Sequence, residues 1–259
     1  MITTAGDLVA RFEPITLDAL NARAGLLTRV DRKYLLPAAE LPVVLAGLPA
    51  GVRVLDIDGK RHFAYRSAYF DTPRLDSYFG AAWRRRRRFK LRVRDYLDSG
   101  LRFLEVKTRG PRGTTVKQRF PYAGDGALLD PAARELAATT LGDAGVPDVG
   151  RLFDLTLTTH YERMTLFVPS TGSRVTVDRQ VTWTLPGGAG LALPDRVLVE
   201  TKSGGSASAV DRLLWSLAHR PRPVSKYATG LAALRPDLPA NRWRPVLRRH
   251  FAHSETSRP

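Results

Sequence analysis

The chain contains no cysteine among its 259 residues. This absence excludes disulfide frameworks, thiolate zinc sites and thiol nucleophiles, and it fits a reducing compartment. Long apolar runs are missing too: the longest, residues 41–50, is about half the length that a membrane-spanning helix needs, and it contains two prolines. The first residues also lack the basic and apolar regions of a secretory signal. We therefore expect a soluble cytoplasmic protein without a membrane span.

Acidic residues are scarce relative to basic ones. The chain has 41 Lys and Arg against 25 Asp and Glu, a formal net charge of +16. Because small domains commonly carry a net charge of roughly 2–8, the excess indicates a polyanionic partner or an anionic surface. Hydrophobic residues make up 43%, which is ample for a core and excludes a disordered basic tail as the whole chain. We predict one domain over 10–235 and a basic, Pro- and Arg-rich tail over 236–259.

Helix start signals occur at five places, each a capping residue or a proline before an apolar-periodic segment. They predict helices over 16–23, 37–48, 130–141, from Ser206 or Ser208 to about 217, and 225–234.

Most of the remaining sequence alternates with a period of two. In Arg88–Arg94 every even position is basic and every odd position is apolar. As a strand, this segment has one charged face and one apolar face. The same pattern recurs in the segments 29–34, 103–107, 116–120, 160–168, 174–178 and 197–202. With 61–71 added, the sequence predicts about eight strands.

Two arrangements would satisfy this alternation. An antiparallel sheet could bury its apolar face and leave its charges in water. Alternatively, the helices could cover the apolar faces, so that the charged faces line the interior of a barrel. The set of strands favours the second arrangement. We predict an α+β fold in which a closed antiparallel β-barrel of about eight strands forms a basic tunnel, with helices packed on the outside.

The charged strand faces would place many bases and few acids in such a tunnel. The bases are Lys33, Arg92, Arg94, Lys107, Lys117, Arg119, Arg163 and Lys202, and the acids are Asp31, Glu105, Asp178 and Glu200. A thin linear polyanion would relieve the repulsion between the bases, since phosphate oxygens accept hydrogen bonds from arginine. The acids are candidate ligands of a divalent metal that bridges phosphates. Such a tunnel is too narrow for a nucleic-acid duplex, so nucleic acid is not the expected partner.

Three features of the sequence have two interpretations each. Glu105 is a second metal ligand or a salt-bridge partner of Lys107, and the structural role is favoured. Asp71, in the segment YFDTP, caps a turn before Pro73 more readily than it binds metal. The arginine run 84–88 is either a funnel that attracts polyanions or an exposed turn.

Nine short segments in this order resemble the VTC domain, the polyphosphate-polymerase branch of the triphosphate tunnel metalloenzymes. The segments are RVDRKYLL, YRSAYFDTP, KLRVRDY, FLEVKTR, VKQRF, YERM, VTVD, VETK and SKY. The resemblance covers about residues 10–235. It implies transfer of the γ-phosphoryl group of ATP to the end of a polyphosphate chain, with manganese or magnesium as the metal.

The resemblance also implies roles for individual residues, which the alternation extends to Arg119 and Lys202. We assign five bases to the transfer step: Lys33, Arg92, Arg94, Lys107 and Arg163. Binding of ATP and polyphosphate is assigned to Lys117, Arg119, Tyr161, Lys202, Ser225 and Lys226. Glu200 is the expected metal ligand, and Asp31, Glu105 and Asp178 are further candidates.

The sequence departs from the wider superfamily in its first motif. Where that superfamily has alternating glutamates before a lysine, residues 29–33 contain the single acid Asp31. This scarcity of acids favours a polymerase. A hydrolase of tripolyphosphate or nucleoside triphosphates and a non-enzymatic polyphosphate-binding module stay open as alternatives. A membrane-protein partner also stays open, and no oligomeric state is predicted.

Overall fold

The computed structural model describes residues 5–24, 30–109, 115–146, 149–252 and 255–257. The chain divides into two compact units. The first unit comprises Met1–Phe63, Tyr161–Val181 and Leu193–Val224, and the second comprises Ala64–His160, Thr182–Ala192 and Ser225–Pro259. Arg29, the first residue of one predicted strand, lies outside the described residues.

The helices and strands alternate along the described chain. The helices are α1 (Ala5–Ala10), α2 (Leu17–Ala24), α3 (Leu41–Ala46), α4 (Asp76–Ala82), α5 (Pro131–Asp143), α6 (Ala209–Ser216), α7 (Lys226–Leu234) and α8 (Arg244–Val246). The strands are β1 (Glu13–Ile15), β2 (Val30–Pro37), β3 (Arg53–Leu55), β4 (Phe63–Asp71), β5 (Arg88–Tyr96), β6 (Leu101–Arg109), β7 (Thr115–Pro121), β8 (Asp154–Val168), β9 (Ser173–Thr184), β10 (Gly190–Leu193), β11 (Arg196–Ser203) and β12 (Glu255–Ser257). Short 3-10 turns occupy Ala38–Glu40 and Pro169–Thr171, and Leu247–Phe251 continues α8 as a π-helix.

Four helix starts are confirmed by their capping bonds. The Asp130 carboxylate accepts a hydrogen bond from the Ala133 amide at 2.8 Å, and Pro131 occupies the first position of α5. Ser208, and not Ser206, caps α6, where it forms a capping box with Asp211. Thr16 and Ser225 precede α2 and α7 as predicted, and each accepts a bond from an amide of its helix. These short polar side chains satisfy amides that a helix N-terminus leaves without a partner.

In the first unit, strands β2, β11 and β9 pair antiparallel in that order. β3 pairs parallel with β1 and antiparallel with β8. The apolar strand faces pack against α1, α3 and α6 in one core. Its buried members include Leu8, Tyr34, Leu36, Val44, Leu45, Val175, Val177, Val197, Val199 and Leu214. Burial of each large apolar side chain contributes roughly 1.5–3 kcal/mol, so the helices hold this face of the sheet firmly.

In the second unit, strands β4, β5, β6 and β7 form an antiparallel meander. Leu91 and Val93 of β5 pack with Leu104 and Val106 of β6 in a buried core, which α5 covers through residues such as Leu141. The apolar face of the predicted strand 88–94 is therefore covered by a helix. Its charged face lies on the other side of the meander, because successive side chains alternate.

The C-terminal segment of the second unit contributes to its core. Trp243 is 2% exposed and packs against Tyr78, with ring centroids 5.6 Å apart. Phe251 packs in the same way against Trp183. Residues 255–257 form β12, which pairs antiparallel with β10. Trp243 and Phe251 are thus part of the packed structure of this unit.

The fold is mixed α+β with extensive antiparallel sheet, as predicted, but the closed barrel is not confirmed. Among the described strands, β2 pairs only with β11 and β7 pairs only with β6, so both strands are edges. β7 carries exposed Lys117 and Arg119, and charged side chains on an edge strand oppose further pairing. The strands that the sequence missed are β1, β3, β10 and β12, each three or four residues long.

No helix in the described part of the chain combines the length and the apolar character that crossing a membrane requires.

Candidate functional site

Cross-strand register places charged side chains of β5, β6 and β7 directly opposite one another. We call each set of directly opposed residues a rung. Lys90 is opposite Lys107, and Lys107 is opposite Lys117. In the neighbouring rung, Arg92 is opposite Glu105, which is opposite Arg119. Directly opposed residues share one face of a sheet. We call this surface the cationic face, and its members are Lys90, Arg92, Arg94, Glu105, Lys107, Lys117 and Arg119.

Glu105 is the buried counter-ion of the cationic face. Its side chain is 2% exposed, and it accepts a hydrogen bond from Arg92 Nε at 2.7 Å and one from Lys117 Nζ at 2.5 Å. Arg94 Nη1 lies 4.0 Å from the same carboxylate. Burial alone would raise the pKa of Glu105, but the charges of Arg92, Arg94 and Lys117 hold it well below its usual range. Glu105 is therefore an ionised residue that joins three strands through ion pairs.

Lys117 is the titratable base of this group. Burial of its ammonium lowers its pKa to about 8; Glu105 opposes this shift, and Arg92 and Arg94 add to it. The lysine therefore changes charge close to neutral pH, where a bound anion would favour its protonated form.

Ser225 and Lys226, both predicted site residues, lie at the start of α7 and are joined to the cationic face by Lys90. Lys90 Nζ donates to Ser225 Oγ at 3.0 Å. The Lys226 side chain is buried, and its carbonyl accepts a bond from Trp183 Nε1 at 2.6 Å. Lys90 is the residue that the site prediction missed. Its place on the charged face of 88–94 was readable from the alternation, but its contact with α7 depends on tertiary packing.

Tyr69 and Tyr227 form a second link to α7. Arg92 Nη1 donates to Tyr69 Oη at 3.2 Å, and the Tyr69 ring stacks on Tyr227 with centroids 5.3 Å apart. Tyr227 donates its hydroxyl to the buried carboxylate of Asp71. The arginine that contacts Glu105 is thus held by packed aromatic rings.

Asp71 has the capping role that the sequence favoured. Its carboxylate accepts amide hydrogen bonds from Thr72 at 2.8 Å, Ser77 at 2.8 Å and Tyr78 at 2.9 Å, the last two in the first turn of α4. Burial raises the pKa of Asp71 to about 6, although these bonds and that of Tyr227 oppose the shift. Its acceptor positions are occupied by the chain itself, so a structural role accounts for it.

The first unit carries a second charged surface, on β2 and β11. Register places Lys33 opposite Glu200 and Asp31 opposite Lys202. Lys202 Nζ lies 3.9 Å from Glu200 Oε1. Two bases and two acids thus share one face of this strand pair, which we call the β2–β11 face.

Arg163 and Asp178 form a bidentate ion pair between β8 and β9. Arg163 Nε and Nη2 donate to the two carboxylate oxygens at 2.6 and 2.8 Å, and Asp178 is fully buried. The Arg163 guanidinium lies 5.3 Å from the centre of the buried Tyr161 ring. This geometry fixes the arginine in orientation. It also makes Asp178 a counter-ion and a poor candidate for a metal ligand.

The donors on the β2–β11 face fit one kind of metal site. No group of three or more acidic or histidine side chains that could hold a metal occurs in the described part of the chain. Glu105 and Asp178 are held by arginine and lysine side chains, whereas Asp31 and Glu200 lie together on the β2–β11 face. Mg²⁺ and Mn²⁺ take oxygen ligands, and Mg²⁺ is commonly held by one or two carboxylates plus substrate phosphates. The two carboxylates of the β2–β11 face fit such a shared site.

The predicted site residues fall into one group in each unit. Arg92, Arg94, Glu105, Lys107, Lys117, Arg119, Ser225 and Lys226 belong to the second unit, on the cationic face or at the start of α7. Asp31, Lys33, Tyr161, Arg163, Asp178, Glu200 and Lys202 belong to the first unit, on β2, β8, β9 and β11. Arg119 turns along its strand, and its guanidinium lies 3.4 Å from the centre of the Phe103 ring.

Comparison with solved structures finds remote similarities. A candidate adenylate cyclase from Bacillus halodurans is 14% identical, with 76% of this chain and 94% of that chain covered and a TM-score of 0.48. A candidate adenylyl cyclase from Hippeastrum, described as having a dominant triphosphatase activity, is 15% identical, with 83% and 100% covered and a TM-score of 0.49. No curated protein matches the sequence.

A family model matches part of the chain directly. The VTC domain model covers residues 28–129, a span that includes β2, β4, the cationic face of β5–β7 and Glu105. Five of the nine motifs that resemble the VTC domain, from RVDRKYLL to VKQRF, lie within this span. Over residues 28–129, this chain is similar to the VTC domain.

Proposed function

We propose that this protein is a polyphosphate polymerase that transfers the γ-phosphoryl group of ATP to the end of a polyphosphate chain. The observation that carries the proposal is the cationic face. Its bases lie in register on three adjacent strands around the buried carboxylate of Glu105, within the span that matches the VTC domain. We place the reaction in the cytoplasm, where ATP is the available donor.

The proposed reaction does not require a covalent bond between the substrate and the protein. An oxygen of the terminal phosphate of the chain forms a bond to the γ-phosphorus, the bond from that phosphorus to the bridging oxygen breaks, and ADP leaves. The attacking oxygen is already ionised at neutral pH, so no general base is needed. Catalysis then depends on positioning the two phosphates in line and neutralising the charge on the transferred group.

The roles proposed for the bases follow from how firmly each is held. Glu105 orients Arg92 and Lys117, and Asp178 orients Arg163, so these cations are positioned before a substrate arrives. Preorganised charge stabilises a transition state more than mobile charge does, because little reorganisation is needed during the reaction. For the transfer step we propose Arg92, Arg94 and Lys107 in the second unit and Lys33 and Arg163 in the first. The phosphate chain would be bound by Lys117, Arg119, Tyr161, Lys202, Ser225 and Lys226, to which we add Lys90.

A divalent cation, Mn²⁺ or Mg²⁺, would be held by Glu200, with Asp31 as the second carboxylate. When bound, it would supply positive charge to the phosphate oxygens of the nucleotide. Lys33, opposite Glu200 in the strand pairing, would place its positive charge on the same face as this carboxylate.

The experiment that tests the proposal follows three products from ATP and Mn²⁺: ADP, free phosphate and long-chain polymer. Polymer formed with one ADP per added phosphate supports the proposal. Free phosphate without polymer would replace it with a hydrolase, and binding of polyphosphate without turnover would replace it with a binding module.

Two variants test the site assignment on the β2–β11 face. Lys33→Ala and Glu200→Ala are each expected to slow polymer synthesis by at least about 100-fold, because the first removes a cation assigned to the transferred phosphate and the second removes the carboxylate assigned to the metal. Lys60→Ala removes an exposed lysine of the same unit and serves as the matched control. Circular dichroism checks that all three proteins are folded. Wild-type synthesis rates in Lys33→Ala or Glu200→Ala would contradict the assignment.

A further inference from the structure

A cluster of arginines surrounds the C-terminal end of α4 in the second unit. Its members, which we call the arginine cluster, are Arg84, Arg85, Arg86, Arg87, Arg88, Arg109 and Arg242. The carbonyl of Ala81 accepts a hydrogen bond from Arg242 Nη1 at 2.7 Å and one from the Arg84 amide at 3.4 Å. Arg84–Arg87 are exposed. The proposed reaction uses none of these residues.

The arginines of this cluster repel one another. Arg88 and Arg109 are directly opposite in the pairing of β5 with β6. Burial lowers the pKa of Arg88, and the charges of Arg109, Arg242 and Arg84 lower it further. A guanidinium stays protonated in proteins, so Arg88 keeps its charge. The lowered pKa therefore reports the repulsion between Arg88 and the neighbouring arginines. A bound anion would relieve it.

The run is held in a defined shape. Arg84 has a φ of 55°, in the left-handed region that a non-glycine residue rarely occupies. Arg88 Nη1 donates to the Arg85 carbonyl at 2.7 Å, which folds the run back on itself. The Arg85 guanidinium lies 4.9 Å from the centre of the Trp83 ring. Backbone strain of this kind commonly marks ligand-binding segments.

The arginine cluster continues the row of rungs on the cationic face. The Arg88–Arg109 rung is two residues from the Lys90–Lys107 rung on both strands, so the two rungs share a face. Their spacing along the strands is roughly 6–7 Å. Cations therefore follow one another from the exposed run into the proposed phosphate-binding surface. A row of this form fits a linear polyanion.

The aromatic groups indicate which polyanion fits. Single-stranded nucleic acid is commonly bound by aromatic rings on which successive bases stack. In the described part of this cluster, Trp83 is the exposed aromatic residue, and its ring is already stacked on Phe79, 4.7 Å away, and covered by Arg85. The cluster thus offers seven arginines beside one exposed aromatic ring that is already in contact with Phe79 and Arg85, and this excess of charge over aromatic surface favours a polyanion without bases.

We propose that the arginine cluster is a second binding site for inorganic polyphosphate, which holds the chain outside the transfer site and keeps it on the enzyme between additions. The choice of polyphosphate rests on the proposed function. Arginine suits the role, because its planar guanidinium binds phosphate oxygens in pairs.

The test compares two triple variants with the same loss of charge. R85Q/R86Q/R109Q removes three exposed members of the cluster and leaves the strained Arg84 and the bonded Arg88 in place. R151Q/R179Q/R235Q is the matched control, since these arginines lie outside the cluster in ion pairs with Glu135, Glu162 and Asp237. Affinity for long-chain inorganic polyphosphate and for tripolyphosphate is measured at several salt concentrations, with circular dichroism as the check of folding.

The cluster variant is expected to bind the long chain at least about 10-fold more weakly, with tripolyphosphate affinity within about 2-fold of wild type. A plot of log affinity against log salt concentration should be less steep for the variant, with the magnitude of its slope smaller by about 2, because fewer phosphate contacts are made. Unchanged long-chain affinity, or an equal loss in the control, would overturn the proposal. A loss of single-stranded RNA binding alone would also overturn it, in favour of nucleic acid.

A measurement of product length separates this inference from the proposed function. With ATP and Mn²⁺, the cluster variant should release ADP at the wild-type initial rate and yield shorter polymer. If the wild-type protein makes no polymer while the cluster variant still loses long-chain binding, the polymerase proposal fails and the second site stands. If the wild type makes polymer and the variant makes polymer of the same length, the second site fails alone.

Discussion

At the scale of the residue, the surroundings of a charged side chain determine its role more than its residue type does. Glu105 and Glu200 occur in similar short motifs, each two residues before a lysine. Glu105 is buried among Arg92, Arg94 and Lys117, whereas Glu200 is only partly buried beside Lys202. The sequence favoured a salt bridge for Glu105 and a metal for Glu200, but it could not show that Arg92, Arg94 and Lys117 surround Glu105, because these contacts depend on cross-strand pairing.

Lys117 gives a prediction at this scale. Its pKa of about 8 lies below the ordinary value of 10.5, so the folded protein loses this positive charge as the pH rises through about 8. Phosphate binds the protonated form, and affinity for tripolyphosphate should therefore fall between pH 7 and pH 9.5. Lys117→Arg keeps its charge throughout this range. The variant should flatten the affinity profile, measured by titration calorimetry at constant ionic strength. An equally steep fall in the variant would assign the pH dependence to another group.

At the scale of the element, a helix start was predicted correctly where its capping side chain lies next to it in the sequence. The starts of α5, α6 and α7 were predicted because each has its own capping side chain within three residues. α4 was not predicted, because Leu75 stands at its N-cap in a left-handed conformation. The cap is supplied by Asp71, five residues before the helix begins, through bonds to Ser77 and Tyr78. Local capping is readable from sequence, and a cap from a preceding strand is not.

The three strands of the cationic face are coupled by one carboxylate, which gives a prediction for the element. Glu105→Gln keeps the shape of the side chain and removes the counter-charge of Arg92, Arg94 and Lys117. Removal of one partner from a buried ion pair commonly costs about 3–5 kcal/mol. We expect the free energy of unfolding at pH 7 to fall by about 3 kcal/mol in urea titrations.

Phosphate should partly reverse this loss, because it replaces the missing negative charge. Added tripolyphosphate should therefore stabilise Glu105→Gln more than it stabilises the wild type. Glu135→Gln, which breaks an exposed pair with Arg151, is the control and should change stability by less than about 1 kcal/mol. A Glu105→Gln protein as stable as the control would show that the carboxylate does not couple the strands.

At the scale of the whole molecule, the alternation predicted which strand faces the helices cover, and it did not predict how the sheet ends. Val175 and Val197 pack under helices in the first unit, as Leu91 and Leu104 do in the second. Closure of a barrel depends on the pairing of the edge strands. No pattern within β2 or β7 encodes that pairing, because edge and interior strands carry the same alternation here. The alternation and the helix signals therefore predicted the class of fold and left the topology open, and the anionic partner indicated by the composition stays a prediction.

The net charge of +16 gives the last prediction, which concerns the whole protein. A ligand that binds only the folded state stabilises it by about 2.7 kcal/mol at 100 times its Kd. For a chain of this size, each kcal/mol corresponds to roughly 2–4 °C in Tm. Saturating tripolyphosphate should thus raise the Tm by about 5–10 °C in 50 mM salt, and adenosine, which lacks phosphate, should leave it unchanged. The shift should shrink as salt rises to 500 mM, because counterions compete for the same guanidinium and ammonium groups. A shift that is independent of salt would mean that tripolyphosphate is not held by these charges.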